Sequence, residues 1–94
     1  NVELQTSKNV VYQNFPNPFN PNTQINFTIP KEGNVKIIIY NSIGQITKEL
    51  VNEFKTVGSY SIIFNGSNLS SGIYFYRLEV DGNIIDTKRM VLLK

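Results

Sequence analysis

The stretch Asn14-Phe15-Pro16-Asn17-Pro18-Phe19-Asn20-Pro21 decides what the surrounding chain can be. Its prolines each hold φ near about −65° and push the preceding residue toward extended geometry, so the stretch cannot be helical. The backbone donors they remove also rule out a central strand. Phe15 and Phe19 are its large apolar groups, and each would contribute roughly 1.5–3 kcal/mol if fully buried. The expectation is a stiff edge ribbon pinned by two aromatic anchors, placed at the entrance to the folded unit.

Upstream, residues 1–9 are polar apart from Val2 and Leu4, and read as a linker arriving from a preceding domain. Val10, Val11 and Tyr12 begin a first short strand. Downstream, Gln24–Ile29 alternates, with Ile25, Phe27 and Ile29 on one face and Asn26 and Thr28 on the other, which is the period of a half-buried strand. Pro30-Lys31-Glu32-Gly33 closes it as a turn. Val35–Tyr40 is nearly all apolar and fits a central strand covered on both sides. Asn41-Ser42-Ile43-Gly44 follows as a hairpin turn. Gln45–Val51 suits a helical turn or a bulged strand, and the hairpin spacing around it favours strand. Asn52–Val57 reads as a loop whose Phe54 covers a sheet edge.

Gly58–Phe64 alternates again, with Tyr60, Ile62 and Phe64 on one face. Asn65–Ser71 is a polar connection plugged by Leu69. Gly72–Val80 is a strong strand that ends at Asp81-Gly82, a specific two-residue hairpin cue between apolar runs, and a last strand runs from Asn83 to about Leu93. Seven short strands with turn signals between them predict an all-β fold, an antiparallel immunoglobulin-like β-sandwich spanning residues 10–94. The Cys and Trp marks of antibody domains are absent.

Composition narrows the function. At 94 residues the chain makes one domain with a modest core, and 40% hydrophobic residues rich in Ile, Val, Phe and Tyr suit β structure. No apolar run approaches the ~18 residues of a membrane span. No secretion leader is visible at the start, which fits the tail of a larger exported protein. A net charge of +2, dispersed along the chain, gives no basic face for nucleic acid. Without cysteine or histidine there is no disulfide framework, thiol nucleophile or imidazole base.

The remaining polar groups read as structural. Glu49 and Glu53 are solvated surface carboxylates, and Glu79, Asp81 and Asp86 fall short of the six to eight oxygens that Ca²⁺ takes. Ser70-Ser71-Gly72 is a turn without a base partner. Asn26, Asn65 and Asn68 begin glycosylation-like triplets that speak mainly of turns and outward strand positions. Tyr74-Phe75-Tyr76 cannot form one stacking platform, because successive strand residues face opposite ways; the expectation is core packing with tyrosine hydroxyls at the rim. Which face of that strand is the core is open from sequence. Lys88, Arg89 and Lys94 bracket Met90–Leu93, giving a basic-then-apolar closing strand placed to add to a receptor's sheet.

Five blocks occur in order: Phe15-Pro16-Asn17-Pro18-Phe19-Asn20-Pro21, Tyr40-Asn41-Ser42-Ile43-Gly44, Gly58-Ser59-Tyr60, the run Leu69–Leu78, and Lys88-Arg89-Met90-Val91-Leu92-Leu93-Lys94. Together, over Tyr12–Lys94, they resemble the C-terminal sorting domain (type A) of type IX secretion system cargo proteins. Phe15 stands where that family usually has Tyr, Asn22 where Ser or Thr is common, and Arg89 where Lys is common.

The resemblance implies a secretion signal without an active site or cofactor. Its partners would be the outer-membrane type IX translocon, a sortase-like cysteine peptidase and an upstream cargo domain. The domain would be periplasmic in transit, removed by a cut at or before residues 1–9, and the cargo left on the cell surface or secreted. Translocon recognition would fall on Lys88–Lys94, joined by Asp81-Gly82 and nearby hairpin residues; Gly44, Gly72, Tyr74, Tyr76, Asp81 and Gly82 join the ribbon as structural motif residues. Two other readings stand beside it: an immunoglobulin-like assembly module like that of flagellar hook-capping proteins, and a carbohydrate-binding module of an extracellular hydrolase, which needs an exposed aromatic platform.

Overall fold

The computed structural model describes residues 8–94, so most of the expected 1–9 linker lies outside the described residues. Seven strands follow in order: β1 (Val10–Val11), β2 (Asn22–Ile29), β3 (Gly33–Asn41), β4 (Ile46–Lys55), β5 (Gly58–Asn65), β6 (Gly72–Val80) and β7 (Asn83–Leu92). They form a three-stranded sheet, β1-β2-β5, and a four-stranded sheet, β4-β3-β6-β7. All strand pairs are antiparallel. This is the immunoglobulin-like sandwich that the alternation predicts, and β3 and β6 occupy the centre of the larger sheet.

The core forms where alternating residues of the two sheets meet. Ile25, Phe27, Ile29 and Phe64 come from one sheet, and Val35, Ile37, Ile39, Tyr76, Leu78, Met90 and Leu92 from the other, all buried. On β6 the core face is now fixed: Tyr74, Tyr76, Leu78 and Val80 point inward, while Ile73, Phe75, Arg77 and Glu79 line the outer face. The hairpin cues hold as well. Asp81 and Gly82 have φ of 50° and 83°, the double positive φ of a two-residue turn that pairs Val80 with Asn83. Gly44, at φ 86°, closes the β3–β4 turn by donating to the Asn41 carbonyl at 3.0 Å.

Four expectations need correction. Phe15 is 78% exposed whereas Phe19 is 1% exposed, so the ribbon has one aromatic anchor and not two. Asn52–Lys55 belongs to β4, and Phe54 stands 60% exposed without covering the edge: pairing with Gly33–Lys36 extends the hairpin beyond the apolar part of its sequence. The first strand stops at Val11, leaving Tyr12 outside it. The β6 tyrosine hydroxyls are not free at a rim, because each is bonded to backbone: Tyr74 donates to the Ser70 carbonyl at 2.7 Å and Tyr76 to the Tyr12 carbonyl at 2.8 Å.

Candidate recognition site on the last strand

The ribbon and the end of β7 build one structure. The Phe15–Pro16, Asn17–Pro18 and Asn20–Pro21 peptide bonds are cis. Phe15 bridges back to Gln24, and Phe19 makes a parallel bridge to Leu92. Phe19 N donates to the Val91 carbonyl and Leu93 N to the Phe19 carbonyl, both at 2.9 Å. Val91 N donates to Asn17 Oδ1 at 2.9 Å, and Gln13 Nε2 to the Arg89 carbonyl at 2.7 Å. Four backbone groups along this edge, the Arg89 carbonyl, Val91 N–H and carbonyl, and Leu93 N–H, therefore already have partners. That overturns the expectation of a free terminal edge: a strand-adding receptor finds these groups occupied, and the prolines offer few backbone donors for pairing in their place.

Beneath this seam lies a buried polar knot. Asn14 and Thr23 are buried, and their side chains bond to each other at 2.9 Å and both to the Pro16 carbonyl. Asn14 N donates to the Tyr76 hydroxyl at 2.7 Å, so that hydroxyl ties the start of the ribbon to the middle of β6. Burial pushes the Tyr76 hydroxyl up to about 12, opposed by the bond from Asn14 and helped by the nearby Asp86 carboxylate. Phe19 fills the space above, edge-on to Phe64 at 6.1 Å. Gly66 packs closely there: a Cβ would come within 3.1 Å of Leu92 and 3.3 Å of Phe19, so a side chain would have to push these neighbours back by a few tenths of an ångström.

The segment Lys88–Lys94 is split by this geometry. Met90 and Leu92 are fully buried and hold the strand to the core. Arg89 and Leu93 are exposed, with Val91 half-buried between them, and this alternation aligns the three on the outer face. Lys88 turns to the other face and pairs with Asp86 at 3.3 Å. Lys94 lies against the 66–71 loop, its Nζ on the Ser67 carbonyl and its backbone N 2.9 Å from Ser71 Oγ. Asp81 caps Asn34 N at 2.8 Å at the far end of β7, well removed along the strand from residues 89–94.

Sequence reasoning missed the roles of Asn14, Asn17 and Gly66. Asn17 and Val91 are separated by most of the chain, so no local spacing could have paired them. The asparagine excess was a signal, but it pointed to turns in general.

The β-sandwich, with its last strand clamped by a proline-asparagine ribbon, carries its distinctive geometry at one edge. The family model for the secretion system C-terminal sorting domain matches residues 13–93, and the chain belongs to that family. No curated protein matches it. The domain is a sorting signal for type IX secretion, works with that secretion machinery, and serves export to the cell surface or beyond. The match favours this reading over the assembly and carbohydrate-binding modules. Burial of Tyr74 and Tyr76, with Phe75 on the opposite face, also leaves no three-ring platform on β6.

Proposed function

We propose that residues 10–94 act as a folded, non-catalytic address, with residues 1–9 as the tether from a cargo domain upstream. The outer-membrane translocon reads the segment Lys88–Lys94 through the side chains that the fold presents, chiefly Arg89, Val91, Leu93 and Lys94. Met90 and Leu92 act indirectly, by fixing the spacing of those side chains. A sortase-like cysteine peptidase then cuts at or before residues 1–9, after passage through the periplasm, and leaves the cargo on the surface or released. The observation that carries the reading is the family match over residues 13–93, which takes in the ribbon and nearly all of the segment it clamps.

The experiment is a transplant. Residues 1–94 are fused behind an exported reporter in a type IX competent host, with and without Lys88–Lys94. Surface reporter that disappears with the segment, and loss of the domain from the delivered protein, are expected. Periplasmic retention of the intact fusion, while another sorting domain delivers the same reporter, would overturn the reading.

A further inference from the structure

Each of the two sheets ends in two edge strands, and β5 is the edge that nothing guards. β7 is bonded to the proline ribbon at Arg89, Val91 and Leu93. β4 pairs with register shifts and carries Lys48, Glu49, Glu53 and Lys55. β1 is only Val10–Val11, and the chain beyond it bridges to Gln24 through Phe15. β5 has none of these devices. It pairs with β2 over Gly58–Asn65 without a shift in register, and the strand holds no proline and no charged residue. Natural sheets avoid leaving a long, flat, uncharged edge free, because its main chain is a template for another strand.

Hydrogen-bond direction fixes which main-chain groups are free. Gln24 and Asn26 turn their backbone groups toward β1, where they bond to Phe15 and Tyr12, so Ile25 and Phe27 bond to their register partners Ile62 and Tyr60. On β5 the N–H and carbonyl groups of Ser59, Ser61, Ile63 and Asn65 therefore point away from the sheet. Side chains alternate in the same way. Tyr60 and Ile62 are half-buried against the core, whereas Ser59, Ser61 and Ile63 are exposed, Ile63 by 56%. Lys55 lies over the Tyr60 ring at 4.9 Å and pairs with Glu53, so the cation beside this strand is already met.

We propose that the β5 edge pairs antiparallel with β5 of a second copy of this chain, about a two-fold axis at Ile62, to give a continuous sheet β1-β2-β5-β5-β2-β1. What selects a second copy is self-complementarity. An antiparallel two-fold sets each outward N–H against an outward carbonyl of the same spacing, and an uncharged strand meets itself without like-charge repulsion. With the axis at Ile62, Ser59 stands opposite Asn65 and Ser61 opposite Ile63, so every outward backbone group of the strand finds a partner. An axis at Ser61 would set Asn65 opposite Val57, outside the strand. Ile62 meets its own counterpart, and the half-buried side of β5 gains apolar cover. β1, at the far edge of the sheet, is too short to continue the series, so pairing closes at two copies. This association goes beyond the sorting reading and does not depend on it.

The test is self-association of the 94-residue chain. Sedimentation equilibrium over a wide concentration range is expected to show the mass rising from 10.7 kDa toward twice that value and no further. Ile63→Pro removes an outward donor and leaves the bonds to β2 in place. It raises the dimer dissociation constant at least about 10-fold, while Ile63→Thr, which keeps the donor, changes it less than about 3-fold. The urea midpoint of each variant is measured alongside. Because the chain has no cysteine, a single Ile62→Cys reports the axis: oxidation links two copies, whereas Thr47→Cys, exposed on β4, stays unlinked at the same concentration. The cysteine pair decides the matter if Ile63→Pro lowers the urea midpoint. A parent that stays monomeric overturns the proposal and leaves the edge to an extended segment of another protein. So does a dimer that survives Ile63→Pro, or one that links as readily through Thr47→Cys. Growth beyond two copies overturns the two-fold closure.

Discussion

β4 and β7 are the two edges of the same sheet, and they are protected in opposite ways. β4 is wet along nearly its whole length, with Val51 its one buried residue and Ile46 and Phe54 exposed. Register shifts opposite β3 leave Leu50 and Thr47 unmatched, and Lys48, Glu49, Glu53 and Lys55 supply charge. Bulges and charges of this kind discourage further pairing without covering the edge. β7 has Met90 and Leu92 in the core, and its final residues are bonded to the ribbon through main chain and through Asn17. One edge is sealed by bonded partners, whereas the other is only made unattractive to further pairing.

That contrast can be broken most forcefully at the anchor. Phe19→Ala removes the ring that joins the ribbon to Phe64 and Leu92, and is expected to cost about 3–5 kcal/mol in urea unfolding. Phe54→Ala on β4 and Phe15→Ala on the ribbon should each stay within about 0.5 kcal/mol, because those rings are mostly in water already. A large loss at Phe15 would restore the two-anchor ribbon.

The next effect is on alkaline stability. The Tyr76 hydroxyl is raised from 10.0 to about 12, so above pH 10 the unfolded chain gives up this proton before the folded one does. The stabilisation is therefore complete below pH 10 and is lost as pH climbs from 10 through 12, by up to roughly 3 kcal/mol. Urea midpoints across that range should fall for the parent, and fall less for Tyr76→Phe. At neutral pH the same substitution orphans Asn14 N and the Tyr12 carbonyl, and should cost about 1–3 kcal/mol.

A smaller loss at the ribbon itself sharpens the comparison. Asn17→Ala leaves Val91 N without its acceptor and should cost roughly 1 kcal/mol, with faster amide exchange at Val91 and Leu93 than elsewhere in β7. Uniform acceleration along β7 would mean that the ribbon does not guard this end in particular.

Much of the fold was legible locally. The alternation in β2 and β5, the apolar density of β3 and β6 and the Asp81-Gly82 turn each follow from neighbours in the chain, because strand period and turn geometry are local properties. β4 was harder to read. Its Ile46–Leu50 spacing is ambiguous, and Asn52–Lys55 has the composition of a loop; pairing to β3 makes it a strand, and pairing is not written in one segment alone.

The candidate site divides in the same way. The sequence by itself determined that residues 14–21 are stiff, that Lys88, Arg89 and Lys94 bracket the apolar run Met90–Leu93, and, through the five ordered blocks, which family the chain resembles. Only the tertiary structure decided that Phe19 and not Phe15 is buried, that Met90 and Leu92 serve the core while Arg89 and Leu93 face outward, and that Asn17 meets Val91. Proline stiffness and side-chain alternation are set within a few bonds. Burial and hydrogen-bond partnership depend on which distant segment arrives at the same place, and here that was settled by packing the two sheets face to face.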